Sequence, residues 1–346
     1  MRRVVCLEIG PPDELVVEDG PALIPAPHQV VVDVEAAGVN FVDALLVQGK
    51  YQIKPPTPFS PGSEVAGVVS AVGDDVGSAA AAPGTATGTR TGTEGTADGR
   101  RTVTVGDRVI AACGLGGYAE QVAVPAASVV PIPESLSLTR AAAMLQSYAT
   151  ALYAFGRIVH QRGETVLVLG AGGGVGLAAI DVATARGLRA IGAASSFDKR
   201  AAAEAAGAVA CIDYTAEDLK LRARELSGGG ADIVVDPVGG AHAEPALRAL
   251  RVGGRYLVVG FASGQIPRLP ANQILLNNRT VVGIDWGAWT FQHPDDNQAL
   301  IAHLMEMVAD GLLHPPEPMT YPLGKAAEAL GDLIERRAVG KSVLVP

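Results

Sequence analysis

Two stretches carry residues whose types and spacing could do chemistry. In Phe59-Ser60-Pro61-Gly62-Ser63-Glu64-Val65-Ala66-Gly67-Val68-Val69 a single acid follows a Pro-Gly turn and opens an apolar run. An ionised carboxylate there is costly unless it is paired, hydrogen-bonded or bound to a metal, so Glu64 requires a partner from elsewhere in the chain. The second stretch, Gly170-Ala171-Gly172-Gly173-Gly174-Val175-Gly176, follows the apolar run Val166–Leu169 and opens into the apolar segment Leu177–Ala185. On the dinucleotide fingerprint the three key positions are Ala171, Gly173 and Gly176, with alanine in place of the first glycine. Small residues let the backbone approach a pyrophosphate, and a helix N-terminus presents free N–H groups and a positive dipole end. A glycine pattern is weak evidence alone, but the strand before it and the helix after it supply the context it needs.

The end of the next strand bears on which nicotinamide cofactor binds. An NAD enzyme carries an Asp or Glu about twenty residues after the motif to hold the ribose 2′-hydroxyl. This chain instead reads Ala193-Ala194-Ser195-Ser196-Phe197-Asp198-Lys199-Arg200. A carboxylate would repel a 2′-phosphate, whereas a hydroxyl and an ammonium attract it. Lys199 and Arg200 are otherwise ordinary solvated residues, although positive charge at a helix start opposes the helix dipole. NADPH is the expected cofactor.

These residues need elements to position them. Residues 1–137 are rich in short Val-containing runs, such as Gln29–Val34 and Glu64–Val72, separated by Pro and Gly turns, and read as a β-rich domain. From 138 to 283 apolar runs alternate with Ala-rich helical stretches. Val166–Leu169, Arg189–Ala193, Ile233–Val235 and Tyr256–Val259 read as buried parallel strands, with helices over Thr139–Phe155, Val175–Arg186, Lys199–Ala206 and Ala243–Leu250. Alternating βα units imply an α/β, doubly wound sheet. Residues 284–346 hold two helical segments and a final strand, Lys341–Val345, expected to pack back on the first domain. Between Gly77 and Thr102 the chain is rich in Gly, Thr and Ala with little that could enter a core, and reads as a flexible surface insertion or a lid.

The 346 residues suffice for two domains with their own cores. A net charge of -9 gives no global basic surface, which argues against nucleic acid or acidic membrane as partner. Cys6, Cys113 and Cys211 lie far apart, with no zinc or redox spacing, and the six histidines show no ligand spacing either. The N-terminus makes a poor signal peptide and the longest apolar stretch is glycine-rich and short. The expectation is a soluble cytoplasmic protein.

With these residues in place, the chain resembles the zinc-independent quinone oxidoreductases, the zeta-crystallin-like branch of the medium-chain dehydrogenase/reductases. The matching stretches are Ala37–Asp43, Gln48–Tyr51, Pro61–Gly67, Gly170–Gly176, Asp236–Gly240 and Val259–Gly264. Together they span almost the whole chain except the insertion. The resemblance implies a Rossmann-type cofactor domain and a GroES-like catalytic domain completed by the C-terminal segment. It also implies no metal: zinc-containing relatives carry cysteine where Asn40 stands and histidine where Ser63 stands, and neither Asn nor Ser is a good zinc ligand. Glu64 is then expected to accept hydrogen bonds from backbone N–H groups or an arginine at the domain junction.

By the same resemblance, Thr150 lies near the nicotinamide and phosphate, and Gly173, Gly174 and Val175 hold the pyrophosphate. Ser195, Lys199 and Tyr214 surround the 2′-phosphate, Val238, Phe261 and Trp286 line the groove, and Arg337 or Lys341 reaches the same phosphate. Asn40, Asp43 and Tyr51 stand at the substrate end. Asn40 orients a carbonyl or the nicotinamide amide, and Tyr51 walls the pocket or donates to a developing oxyanion. Read from residue type alone, Asn40 caps a turn and Tyr51 is a half-buried loop aromatic. The implied reaction is hydride transfer from NADPH to a quinone or enone. An enoyl-thioester reductase, with Tyr51 as proton donor, and a non-catalytic NADPH-binding protein are the alternatives. Thr280–Trp286 reads as an exposed edge strand, and pairing two such edges implies a homodimer.

Overall fold

The computed structural model describes residues 1–77 and 103–346. Apart from Gly77, the expected insertion lies outside the described residues. Six strands make one parallel sheet in the spatial order Ala210–Asp213, Arg189–Ala194, Thr165–Leu169, Ala231–Asp236, Leu250–Val258 and Thr280–Gly283. Numbered along the chain this is the order 3-2-1-4-5-6 of a doubly wound dinucleotide fold, which places a ligand crevice where the order reverses, between Thr165–Leu169 and Ala231–Asp236. Apolar cores cover both faces. One is built around Met144, Val168, Ile180 and Leu304, and the other around Leu167, Ile191, Ile212 and Leu247.

The expected helices stand at Leu138–Gly156, Gly174–Ala185, Phe197–Ala205 and Ala243–Ala249. Among the elements of the cofactor part without a sequence reading are the strand Ala210–Asp213 and the helix Leu219–Leu226. Both are short and largely half-exposed, so neither shows a sustained apolar period.

The second sheet runs in the order Met319–Pro322, Ser342–Val345, Gln29–Val39, Glu64–Val72, Arg108–Ala112 and Val129–Pro131, with Gln121–Pro125 pairing beside the first half of Gln29–Val39. The last strand of the chain thus enters a sheet begun near its N-terminus. Ser342 pairs with Val39 and Leu344 with Ala37, antiparallel, and this register sets Lys341 opposite Asn40.

The C-terminal part differs from expectation. It holds three helices, Trp286–Gln292, Pro294–Ala309 and Ala326–Ile334, where two helical segments were expected. Pro294 disfavours helix at His293 and starts a new helix itself. Ala326–Ile334 packs against Phe41–Val47 in the β-rich part, but Pro294–Ala309 packs on Leu138–Gly156 of the cofactor part. No described helix is long and apolar enough to cross a membrane.

Candidate active site

The glycine turn is shaped by close approach. A Cβ on Gly176 would fall 2.2 Å from the Gly170 carbonyl oxygen, so only glycine lets the helix start this near the strand end. Gly173 is the N-cap of the helix Gly174–Ala185 and supplies no side-chain acceptor, which leaves the first-turn N–H groups available to an anion. The residues therefore fit a dinucleotide pyrophosphate. Val238 lies against this turn, its Cγ2 standing 2.8 Å from where a Gly170 side chain would begin, and half-exposed Phe261 packs on Gly239. Thr150 is half-buried on the Leu138–Gly156 helix.

Beyond the turn, Ser195 is exposed and Ser196 caps the helix Phe197–Ala205 by accepting from the Lys199 N–H. The Lys199 ammonium donates to the Arg336 carbonyl at 2.5 Å, and burial together with the Arg336 guanidinium pulls its pKa down. Arg336 donates to the Ser263 carbonyl at 3.0 Å. Tyr214 packs on His242 in a tilted contact with ring centroids 4.3 Å apart, and the His242 pKa is lowered by burial while Arg336 pushes the same way.

Three expectations meet different surroundings. Arg337 turns away, its guanidinium bound to Asp332 at 2.6 Å and to Glu335, so the arginine standing with Lys199 is its neighbour Arg336. Arg200 pairs with Asp213 at 2.8 Å, which leaves Lys199 as the available cation of that dipeptide. Trp286 is only 9% exposed and donates its indole N–H to Asn297, so it is held as a core residue between the C-terminal helices.

The residues expected at the substrate end, Asn40 and Asp43, belong to a buried polar network built around Glu64. Glu64 is 0% exposed. Its Oε1 accepts from Asn40 Nδ2 at 2.9 Å and from the Lys341 ammonium at 2.8 Å, and its Oε2 accepts from the Gln146 main-chain N–H at 2.7 Å. The expected backbone donor is present, and the cation is a lysine instead of an arginine. Lys341, a candidate for the 2′-phosphate, has its ammonium at the other end of the cleft, bound also to Asn40 Oδ1 and to the Val39 carbonyl. Both ends of the Asn40 amide are thus engaged within the protein.

Ser63 joins this network to a second acid. Its hydroxyl donates to Asp43 Oδ1 at 2.9 Å and accepts from Gln146 Nε2 at 2.7 Å. Asp43 also accepts from the Asn40 N–H at 2.9 Å, at the head of the helix Phe41–Val47, and from the Tyr118 hydroxyl at 3.1 Å. Tyr118 packs on Gly62, whose φ of +99° suits glycine and where a Cβ would fall 2.5 Å from the Tyr118 ring. Tyr51 is half-buried at the edge of this region, and burial and the Asp285 carboxylate raise its pKa, so its hydroxyl keeps its proton at neutral pH. Sequence reasoning missed Gln146 and Tyr118. An amide directly after the apolar run Ala141–Leu145 was the available signal for Gln146; Tyr118 follows two glycines and had none. Among the described residues no group of three or more His, Cys, Asp or Glu is placed to hold a metal.

Burial pushes Asp43 up to about 6, against the downward pull of its hydrogen bonds and of Lys341. The folded protein then holds a proton there that the unfolded chain, titrating near 3.8, has released. Stability from this group is present below the unfolded pKa and is lost as pH rises to the folded value, by about 3 kcal/mol. Asp43→Asn is expected to flatten the slope of unfolding free energy between these two pH values, as read from urea titrations; an unchanged slope would contradict the assignment.

Comparisons with known proteins agree with this architecture. Residues 26–134 match the alcohol dehydrogenase GroES-like domain and residues 174–306 match the zinc-binding dehydrogenase domain. The quinone oxidoreductase-like protein 2 homolog of Nematostella vectensis is 37% identical over 349 residues, covering 99% of this chain and 88% of the relative. The crystal structure of a Pseudomonas syringae quinone oxidoreductase is 32% identical with a TM-score of 0.85, covering 100% of this chain and 99% of that one. The Escherichia coli quinone oxidoreductase, solved as a complex with NADPH, is 27% identical with a TM-score of 0.83 over 100% of both chains. With a doubly wound cofactor sheet, a GroES-like sheet and full-length similarity of this kind, the chain belongs to the quinone oxidoreductase branch of the medium-chain dehydrogenase/reductase superfamily, NAD(P)-dependent oxidoreductases that act on small molecules.

Proposed function

We propose that this chain transfers a hydride from NADPH to a quinone or a related electron-poor carbonyl or enone, without a metal. The observation that carries the cofactor half is the pairing of Lys199 with Arg336 beside a strand end that lacks a carboxylate. The acceptor half rests on similarity along the whole chain to quinone oxidoreductases. In this reading residues 138–283 hold the cofactor, and residues 1–137 with 284–346 form the catalytic unit.

Bound NADPH supplies the hydride. The N–H groups of Gly174 and Val175 hold its pyrophosphate, with Gly173 packed beside it, its own N–H spent on the Gly170 carbonyl within the turn. Lys199, Arg336, Ser195 and Tyr214 surround the 2′-phosphate, with Arg336 in the place first given to Arg337. Val238 and Phe261 flank the groove, and Thr150 faces the nicotinamide end. A quinone is a strong hydride acceptor, so holding the two rings face to face in a dry cleft provides most of the catalysis. Tyr51 keeps its hydroxyl proton and donates to the oxyanion that develops on the acceptor. Metal-free chemistry is supported by residue type: Asn40 and Ser63 are poor zinc ligands, and Glu64 and Asp43 are already engaged by hydrogen-bond donors.

The test is NADPH oxidation against a panel of a benzoquinone, a bulky ortho-quinone, an alkyl enone and crotonyl-CoA. Quinone preference with NADPH is expected. Preference for crotonyl-CoA would assign the enoyl-thioester reaction, tight NADPH binding without turnover would assign a non-catalytic role, and equal use of NADH would overturn the cofactor.

Among the described residues the edge strand Thr280–Gly283 pairs only with Leu250–Val258, and Leu275, Leu276 and Ile266 in the segment before it are each more than 70% exposed. We place a second copy of the chain there, edge to edge about a two-fold axis, in the cytoplasm. Light scattering is expected to show a dimer, and Leu275→Asp with Leu276→Asp to give a monomer.

A further inference from the structure

Lys341 bridges the two ends of the cleft. The residue before it is tied to the cofactor side: the Gly340 N–H donates to the Gly172 carbonyl at 2.7 Å, and Gly340 forms a parallel bridge with Gly173, while the Lys341 carbonyl accepts from the Met319 N–H of the second sheet. The lysine stem crosses the start of the Gly174–Ala185 helix so closely that a Cβ on Gly174 would fall 2.5 Å from Lys341 Cδ. Its ammonium belongs to the substrate side, where all three protons have acceptors in the Val39 carbonyl, Asn40 Oδ1 and Glu64 Oε1.

That arrangement decides which way the Asn40 amide faces. With the ammonium on Oδ1 and the carboxylate on Nδ2, every donor meets an acceptor; the flipped amide would set its NH2 against the ammonium and its oxygen against the carboxylate. The main chain of Asn40 in turn heads the helix that carries Asp43. We infer that Lys341 is a positioning residue: its ammonium is the internal counter-ion that fixes the Asn40 amide and ties the substrate end to the glycine turn. It does not act as a phosphate ligand. The inference rests on the hydride-transfer reading for its kinetic consequence, but not for its structural one.

The conservative pair Lys341→Met and Lys341→Arg in the full chain tests it. Lys341→Met is expected to bind NADPH, by fluorescence titration, within about threefold of the parent, while kcat with the preferred quinone falls by about tenfold or more and Lys341→Arg restores most of it. In the cofactor-free protein, the Asn40 side-chain amide resonance is expected to move in Lys341→Met and to stay near its parent position in Lys341→Arg. A loss confined to NADPH affinity would overturn the inference in favour of a phosphate ligand. An unmoved Asn40 resonance with unchanged kcat would make Lys341 an inert strut, and also overturn it. If Lys341→Met does not fold, Lys341→Met with Glu64→Gln removes both buried charges and is read by the same resonance and the same titration. A parent enzyme that turns over none of the panel would reject the hydride-transfer reading, and the Asn40 resonance would still decide the positioning role.

Discussion

Glu64→Ala is expected to destabilise the fold by about 3–5 kcal/mol, the range for breaking a buried ion pair by removing one partner. The side chain is fully buried and holds three donors from three parts of the chain: the Asn40 amide, the Lys341 ammonium and the Gln146 main chain. Its loss leaves the ammonium, with 11% of its side chain exposed, without a counter-charge. It also frees the N–H of Gln146 from its carboxylate, in the middle of a helix that packs against the second sheet and on the helix Gly174–Ala185 of the cofactor part. The effect is larger than a cavity alone because unpaired buried donors keep their full desolvation penalty. Glu64→Gln, which retains the shape and one acceptor oxygen, is expected to cost less than Glu64→Ala. Urea unfolding of the two variants checks this, and a cost for Glu64→Ala below about 1 kcal/mol, the level of a surface pair, would show that the network is not a keystone of the fold.

Lys199→Ala and Arg336→Ala are each expected to lower kcat/KM for NADPH by about 10–100-fold, since a hydrogen bond to a charged group contributes about 1.5–3 kcal/mol. NADH, which lacks the 2′-phosphate, should be almost unaffected by either change. The comparison that makes the prediction sharp is Arg337→Ala. Arg337 is 54% exposed, with its guanidinium held by Asp332 and Glu335, so its removal is expected to leave the NADPH to NADH ratio unchanged. Steady-state kinetics with both cofactors settles the matter; a selective NADPH defect in Arg337→Ala and none in Arg336→Ala would reverse the assignment. Raising the salt should weaken NADPH binding by the parent more than by either lysine or arginine variant, because the lost interaction is partly screened charge attraction.

The β-rich and βα portions were legible because their signals are local. A run such as Val166–Leu169, buried on both faces, reads as a parallel strand from its apolar continuity, and the glycines after it announce a close backbone approach. Gly62 beside Tyr118 and Gly176 beside Gly170 show why glycine stands at each place, although the atom it makes room for is visible only in the fold. The short strand Ala210–Asp213 was not legible, because four residues of which only Ile212 is fully buried give no period to count.

The site was legible in part. The need for a partner at Glu64 follows from the cost of burying a charge, whatever the fold. The partner's identity does not, since Lys341 lies 277 residues away. Likewise, Arg336 and Arg337 are equivalent as sequence; the chain direction after the helix Ala326–Ile334, with Arg336 at a φ of +60°, sends one side chain to Ser263 and the other to Asp332.

Residue types and spacing by themselves determined the alternation of strands and helices, a turn able to receive a pyrophosphate, the lack of a carboxylate at the next strand end, and a buried acid that had to be paired. Those features depend on interactions within a few residues or on the solvation cost of a single group. Only the tertiary structure decided that the pairing cation is Lys341 and that both ends of the Asn40 amide are occupied. The physical reason is register: Ser342 pairs with Val39 across the sheet, and that long-range alignment brings two residues 301 positions apart into hydrogen-bonding contact.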